Sequence, residues 1–263
     1  MKYAFMSFSN PAWTLDEMLA AAKQYGYDGI EPRIDGGHKH GLELSSTPAQ
    51  RAEAKRHAAD IGVAIACIAT GCRFADPADA QQNVQTALQA IDLAADVGAG
   101  VIRVFGGKVP EGVMRIQAAD SIAASLSTLA PHAAERGVTV AIETHDDWCD
   151  ATDVAAILQQ VNQPQIGANW DYQHTTRVAK LSIAQAFLLL QPYIKHVHFH
   201  DGTERADKLE FLPIGHGIYD HHAVLQALSF IGYTGFLSGE WIDWEPAEVH
   251  LPRELAAMKA MEN

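Results

Sequence analysis

Cysteine is scarce in this chain: Cys67, Cys72 and Cys149 are the whole supply. An odd, sparse set argues against a disulfide framework and suits a reducing, cytoplasmic setting. Cys67 and Cys72 also lack the C-x-x-C spacing of a zinc site. Long apolar runs are missing too, since a membrane span needs about 18 such residues in succession. The opening "MKYAFMSFSNPAW" has a single lysine and no small-residue cleavage site, so it reads as a first strand rather than a signal peptide. Positive charge is short. Lys and Arg total 19 against 32 Asp and Glu, a formal charge of −13, and no Lys/Arg run compensates. That disfavours a nucleic-acid partner, whose phosphates need clustered cations. No linker or low-complexity stretch appears, so one domain is expected over residues 1–263.

What the chain has is apolar material and a rhythm. Hydrophobic residues make up 48% and charged residues 19%, enough for a sizeable core. Strand-like runs fall at Tyr3–Phe8, Gly29–Pro32, Ala64–Ile68, Val101–Phe105, Thr139–Glu143, Gln165–Trp170, Ile194–Phe199 and Gly235–Trp241. Helical stretches lie between them, near Leu15–Tyr25, Pro48–Ile61, Ala80–Val97, Val113–Arg136, Thr152–Val161, Ile183–Leu190, His222–Ile231 and Pro246–Met261. Gly26, Gly62, Gly98, Gly137 and Gly232 each stand just past a helix, where a left-handed C-cap is expected. Eight strand–helix units in this length are the arithmetic of an α/β fold of the (β/α)₈ barrel type. A doubly wound open sheet is the alternative, but no GxGxxG turn follows the first strand.

Barrels of this kind carry their chemistry at the C-terminal ends of the strands. Strand 5 ends "VAIETH" with Glu143 and His145; strand 6 ends "ANWDYQH" with Asp171 and His174. Strand 7, "HVHFHDG", places His196, His198 and His200 at alternate positions, on one face, before Asp201. Strand 8 ends "LSGEW" with Glu240. Carboxylates and imidazoles converging on one rim repel or shift one another, and a divalent cation resolves that cost. Three oxygen ligands and one nitrogen suit Mn²⁺, Mg²⁺ or Co²⁺, with Zn²⁺ allowed.

The segments "IETH", "NWDYQH", "HVHFHD" and "GYTGFLSGEW", with "GYDGIEPR" and "IRVFGG", resemble the sugar phosphate isomerase/epimerase superfamily. These are the xylose isomerase-like TIM barrels, which include ketose 3-epimerases, hydroxypyruvate isomerases and inosose dehydratases. The resemblance implies one divalent ion held by Glu143, Asp171, His198 and Glu240. It implies Glu143 and Glu240 as proton carriers around a metal-stabilised enediolate, and His174 and Arg205 as substrate contacts. His196 is expected one layer deeper as a packed, hydrogen-bonded residue, and His200 stands where many relatives have lysine. The expected function is therefore a metal-dependent isomerase or epimerase of a sugar, sugar phosphate or keto acid, with a small carbohydrate as partner and a homo-oligomer allowed. A lyase or dehydratase starts from the same enolate. A phosphodiesterase like the distant relative endonuclease IV fits worse, because strand 3 ends "CIATGC" without histidine or carboxylate.

Other residues keep two readings. Glu31 and Arg33 end strand 2 and form an ion pair at the barrel mouth or meet substrate. His38 and His40 sit on a candidate lid loop or are simply exposed. "FGG" (Phe105 to Gly107) and "GHG" (Gly215 to Gly217) offer backbone N–H groups to a phosphate or make tight turns. Trp13, Phe74 and Trp241 form an apolar wall for a sugar or are packing.

Overall fold

The computed structural model describes residues 1–205 and 208–262. The first half of the chain runs β1 (Lys2–Met6), α1 (Leu15–Tyr25), β2 (Gly29–Glu31), α2 (Pro48–Ile61), β3 (Ala64–Ile65), β4 (Ile68–Arg73), α3 (Ala80–Val97), β5 (Val101–Phe105) and α4 (Arg115–Arg136). It continues with β6 (Thr139–Glu143), α5 (Ala151–Val161), β7 (Ile166–Asp171), α6 (Tyr172–Arg177), α7 (Ile183–Leu190) and β8 (Ile194–Phe199). β9 (Gly202–Arg205), β10 (Lys208–Phe211), α8 (His221–Phe230), β11 (Phe236–Gly239) and α9 (Ala247–Met261) complete it.

The strands form one parallel sheet in the order β3-β2-β1-β11-β8-β7-β6-β5-β4. β3 and β4 are two parts of one barrel strand, interrupted at Ala66 and Cys67. The ring closes across that strand: the Ala66 and Ala69 N–H groups donate to the carbonyls of Ile30 (2.8 Å) and Pro32 (3.0 Å). The fold is thus a (β/α)₈ barrel, as the strand–helix rhythm predicts.

Local chemistry explains the elements. α1 starts on a capping box in which Thr14 Oγ1 accepts from the Glu17 N–H (3.3 Å) and Glu17 Oε2 accepts from the Thr14 N–H (2.7 Å). Gly26 ends it at φ 86°, a left-handed value that costs glycine nothing. The expected left-handed glycine after α8 is also there, Gly232 at φ 64°, one residue beyond the Ile231 C-cap. Three further differences concern boundaries. Ser7–Ser9 is a 3₁₀ turn rather than the end of β1, the third barrel strand runs on to Arg73, and α6 and the β9–β10 hairpin interrupt what the pattern suggests are plain loops. Among the described residues, no helix is long and apolar enough to cross a membrane.

Strand alternation separates two environments. Ile30, Ile102, Val104, Val140, Ile142, Val197 and Phe199 join the core between sheet and helices. The other face of the same strands fills the barrel interior, and there the side chains are polar: Glu31, Arg103, Glu143, Asn169, Asp171, His196, His198 and Ser238 are all buried. Burying that much polarity requires partners.

Candidate metal centre

One ligand atom from each of Glu143, Asp171, His198 and Glu240 lies within 4.8 Å of the others. Parallel pairing sets this up, because Asp171 is in register with His198 and His198 with Ser238, two residues before Glu240. His198 is the hub. Its Nδ1 stands 3.2 Å from Glu143 Oε1 and 3.3 Å from Glu240 Oε2. Its Nε2 stands 3.1 Å from Glu31 Oε1, and the other oxygen of Glu31 meets His196 Nε2 at 2.8 Å. A carboxylate behind the ring fixes its orientation and leaves Nδ1 facing the acidic cluster.

The carboxylates are held unequally. Glu143 Oε2 lies 3.1 Å from Arg103 Nε, an ion pair without the alignment of a hydrogen bond. Arg103 is itself buried, donates through Nη1 to the Thr70 carbonyl (2.9 Å) and rests 3.9 Å over the Phe105 ring. Asp171 caps α6: its Oδ1 accepts from the Gln173 (3.0 Å) and His174 (3.1 Å) N–H groups. Its Oδ2 is buried with no hydrogen-bond partner among the described residues. Glu240 is the most open, with 14% of its side chain exposed.

Burial raises the Glu143 carboxyl, but the His198 and Arg103 charges outweigh it and hold the group well below the usual carboxylate range. Burial lowers the His198 imidazole, and the Glu31 and Glu143 carboxylates drive it the other way, to well above its ordinary value. Asp171 is pushed up, first by burial and then by Glu143 and Glu240. Three converging carboxylates that disturb one another, with an unpaired buried oxygen on Asp171, form a set a divalent cation satisfies. The oxygen-rich, single-nitrogen donors fit Mn²⁺, Mg²⁺, Co²⁺ or Zn²⁺.

The other candidates divide. His174 stands beside the cluster, 3.6 Å from Asp171 Oδ2 and packed edge-on against His145. His145, lowered by burial but raised more by Asp146 and Glu143, reaches about 9. His200 is buried 3.9 Å from Asp171 Oδ2 and lies edge-on to Phe211. Arg205 is not brought to the cluster: it sits on the β9–β10 hairpin with 80% of its side chain exposed, 3.5 Å from Glu210. Glu31 does not pair with Arg33, because both its oxygens face the two histidines. "GHG" is not free for a phosphate either: the Gly215 and Gly217 N–H groups donate to Asp201 Oδ2 at 2.8 and 3.0 Å. At "FGG" a side chain on Gly106 would lie 2.2 Å from Trp148 Cδ1, so tight packing explains that glycine. Phe74 and Trp241 are buried packing residues, and Trp13, partly exposed, packs against the core and meets Phe5 edge-on. His38 and His40 are tied down, His38 Nδ1 to Ser7 Oγ (2.8 Å) and His40 Nε2 to the Arg33 carbonyl (3.0 Å). All three cysteines are free thiols.

Two members of the site carry weaker sequence signals. Arg103 is a charge in the middle of the apolar strand "VIRVF", which in a parallel barrel demands a buried anion. Glu31 has the same signal, but its partners lie 165 and 167 residues away.

The sequence matches the family described as xylose isomerase-like TIM barrel over residues 19–262. No curated protein matches it. Among solved structures, an L-ribulose 3-epimerase superposes with a TM-score of 0.81 at 20% identity, covering 99% of this chain and 94% of that one. The probable 3-DHS dehydratase AsbF of Bacillus anthracis gives 0.81 at 20%, over 100% and 99%. A xylose isomerase-like TIM barrel protein of Mycobacterium smegmatis, in complex with magnesium, gives 0.76 at 18%, over 99% and 96%. At these identities the likeness is one of fold.

Proposed function

Since the chain belongs to the xylose isomerase-like TIM barrel family, we propose that it is a divalent-metal-dependent isomerase or epimerase of a sugar-like substrate, moving a proton at the carbon beside a carbonyl. The observation that carries this reading is the buried convergence of Glu143, Asp171, His198 and Glu240. Similarity in fold to a sugar epimerase and to a magnesium-holding barrel supports it. The ion would be held by those four residues, and when bound it supplies Lewis-acid polarisation of a carbonyl, which acidifies the neighbouring C–H.

The protein's own part follows from how unequally its glutamates are held. Glu143 is locked between Arg103 and His198 and kept strongly acidic, which makes it a poor base and a good anchor. Glu240 is partly open and touches only His198 within the cluster. It is the better placed of the two to lift a substrate proton. A proton returned to the same carbon from the other side gives an epimer, and one returned to the adjacent carbon gives an aldose–ketose isomer. Neither consumes a co-reactant. His174, beside Asp171 on the open side, is the nearest imidazole to steady a substrate hydroxyl.

The test is deuterium exchange. Metal-loaded protein is incubated in D₂O with ketoses, inososes and keto-glycosides, and label is sought beside the carbonyl. Glu240→Gln should cut exchange and turnover by about 10²–10⁴-fold. Near-normal turnover in metal-loaded Glu143→Gln and Glu240→Gln variants would end the proposal. Loss of water from a labelled substrate would move it to a dehydratase, the activity named for one fold neighbour.

A further inference from the structure

The barrel mouth holds a second arginine that the mechanism above does not use. Ala69 in β4 is in register with Arg103 on one side and bridges to Arg33 on the other. Register partners in parallel strands point their side chains to the same face. Arg103 reaches the Glu143 carboxylate inside the barrel, so Arg33 faces inward at the same level. Its position two residues after Glu31, whose carboxylate is inside, says the same.

The two arginines differ in what answers their charge. Arg103 has Glu143 at 3.1 Å. Arg33 has no carboxylate within ion-pair distance among the described residues; its guanidinium donates through Nη1 to the Ile34 carbonyl and has no other hydrogen-bond partner there. It is only partly exposed. Burial, then the Arg103 charge, lowers it to about 10, with Asp35 acting against them from farther away. A half-buried cation beside like charges, with most of its donors unused, is costly unless something anionic arrives.

The nearest cavity opens beside Gly71, against which the guanidinium packs. Gly71 lies next on the interior face of β4, and a side chain there would stand 3.0 Å from Arg33 Nη2. Gly71 also lines a cavity of about 510 Å³ with Arg73, Gly106 and Lys108, bounded by Asp76, Asp79 and Asp146. The backbone of Arg33 is fixed from both sides: its N–H donates to Ser7 Oγ (2.8 Å) and its carbonyl accepts from His40 (3.0 Å). The tied-down β2–α2 loop therefore positions the guanidinium.

We propose that Arg33 is an anion subsite at the barrel mouth, so that the substrate carries a carboxylate or phosphate alongside the carbonyl that reacts. This rests on the function proposed above and narrows its substrate class to anionic hydroxy- or keto-compounds. Arg33, with its planar fork of donors, suits either group.

The experiment titrates the full chain, loaded with Mg²⁺, with glycolate and separately with inorganic phosphate, by calorimetry. The comparison is with Arg33→Gln and Arg33→Lys. Loss of the fork should weaken the preferred anion by about 10–100-fold in Arg33→Gln, with partial recovery in Arg33→Lys. Mg²⁺ affinity should stay unchanged. If only glycolate depends on Arg33 the group is a carboxylate; if only phosphate does, it is a phosphate; dependence of both supports the subsite, and the tighter anion names the group. Equal binding of both anions to wild type and Arg33→Gln, or binding of neither to metal-loaded wild type, overturns the proposal. A chain that binds no Mg²⁺ fails on the function itself, and the metal titration shows that separately. Should the variants not fold, phenylglyoxal labelling of wild type decides: the anion must protect Arg33 while exposed Arg205 stays reactive. An unprotected Arg33 overturns the subsite.

Discussion

Metal binding at this centre should release about one proton near neutral pH, and Glu31 should control that number. Burial alone would depress the His198 imidazole, but Glu31 and Glu143 raise it well above its ordinary value. The metal-free ring then carries protons on both nitrogens, one shared with Glu31 and one facing Glu143 and Glu240. Nδ1 must lose its proton to become a ligand, while Glu143, held low, is already ionised and gives none up. Apparent metal affinity should therefore rise with pH, by about tenfold per unit wherever the ring is still protonated, with Asp171 adding to the slope only at the acid end. Glu31→Gln removes the largest charge that raises the ring, so the imidazole should titrate lower, held up only by Glu143 and Glu240, and fewer protons should be released on metal binding near neutral pH. The same shift has a stability consequence without metal. The folded value of His198 is raised, so its contribution is full below the unfolded value of about 6.5 and is lost as pH rises through the folded one. Calorimetric titration of chelator-stripped protein with MnCl₂, in two buffers of different ionisation enthalpy, counts the protons directly. Wild type that binds Mn²⁺ at pH 7 without releasing a proton would refute the doubly protonated ring. An unchanged proton count in Glu31→Gln would refute the role given to Glu31.

Three substitutions probe the polar interior. Arg103→Met strips the cation from buried Glu143 and should cost about 3–5 kcal/mol of stability in urea unfolding, because the remaining carboxylate is left uncompensated; a loss below about 1 kcal/mol would mean the pair contributes little. His196→Ala leaves one Glu31 oxygen without its 2.8 Å partner and should cost about 1–3 kcal/mol while keeping the metal, whereas His198→Ala should lose it. Equal metal loss in both would show that the two histidines are not divided into support and ligand.

The barrel was legible because its signal is local. Alternation, capping boxes and glycine caps act within a few residues, and even the strand-end positions of Glu143, Asp171 and Glu240 follow from where each apolar run stops. α6 escaped because it is nucleated by the Asp171 side chain, whose Oδ1 takes the two N–H groups that open the helix. An aspartate read as a rim carboxylate is thus also an N-cap, and only its second oxygen is left facing the cluster. Arg205 lies away from the cluster for a related reason. Spacing along a loop carries direction only if the loop runs straight, and here β9 and β10 pair antiparallel and turn the arginine outward.

The three histidines of "HVHFH" show where local reading stops. Period two places them on one face of β8, and that much is sequence. What each imidazole does is decided by the facing wall of the barrel, from residues far away in the chain. His196 is bound by Glu31, which enters from β2. His198 is shared between that same carboxylate and the Glu143–Glu240 pair, so a single glutamate orients both rings. Among the described residues His200, one layer higher, meets no carboxylate closer than Asp171 at 3.9 Å and lies against Phe211 and Tyr219. Burial, then the charges of His174 and its other basic neighbours, presses its ring well below the ordinary value, so it stays neutral where a lysine would carry charge. A neutral ring there leaves the positive side of the mouth to arginine, and Arg33 is one with donors to spare among the described residues.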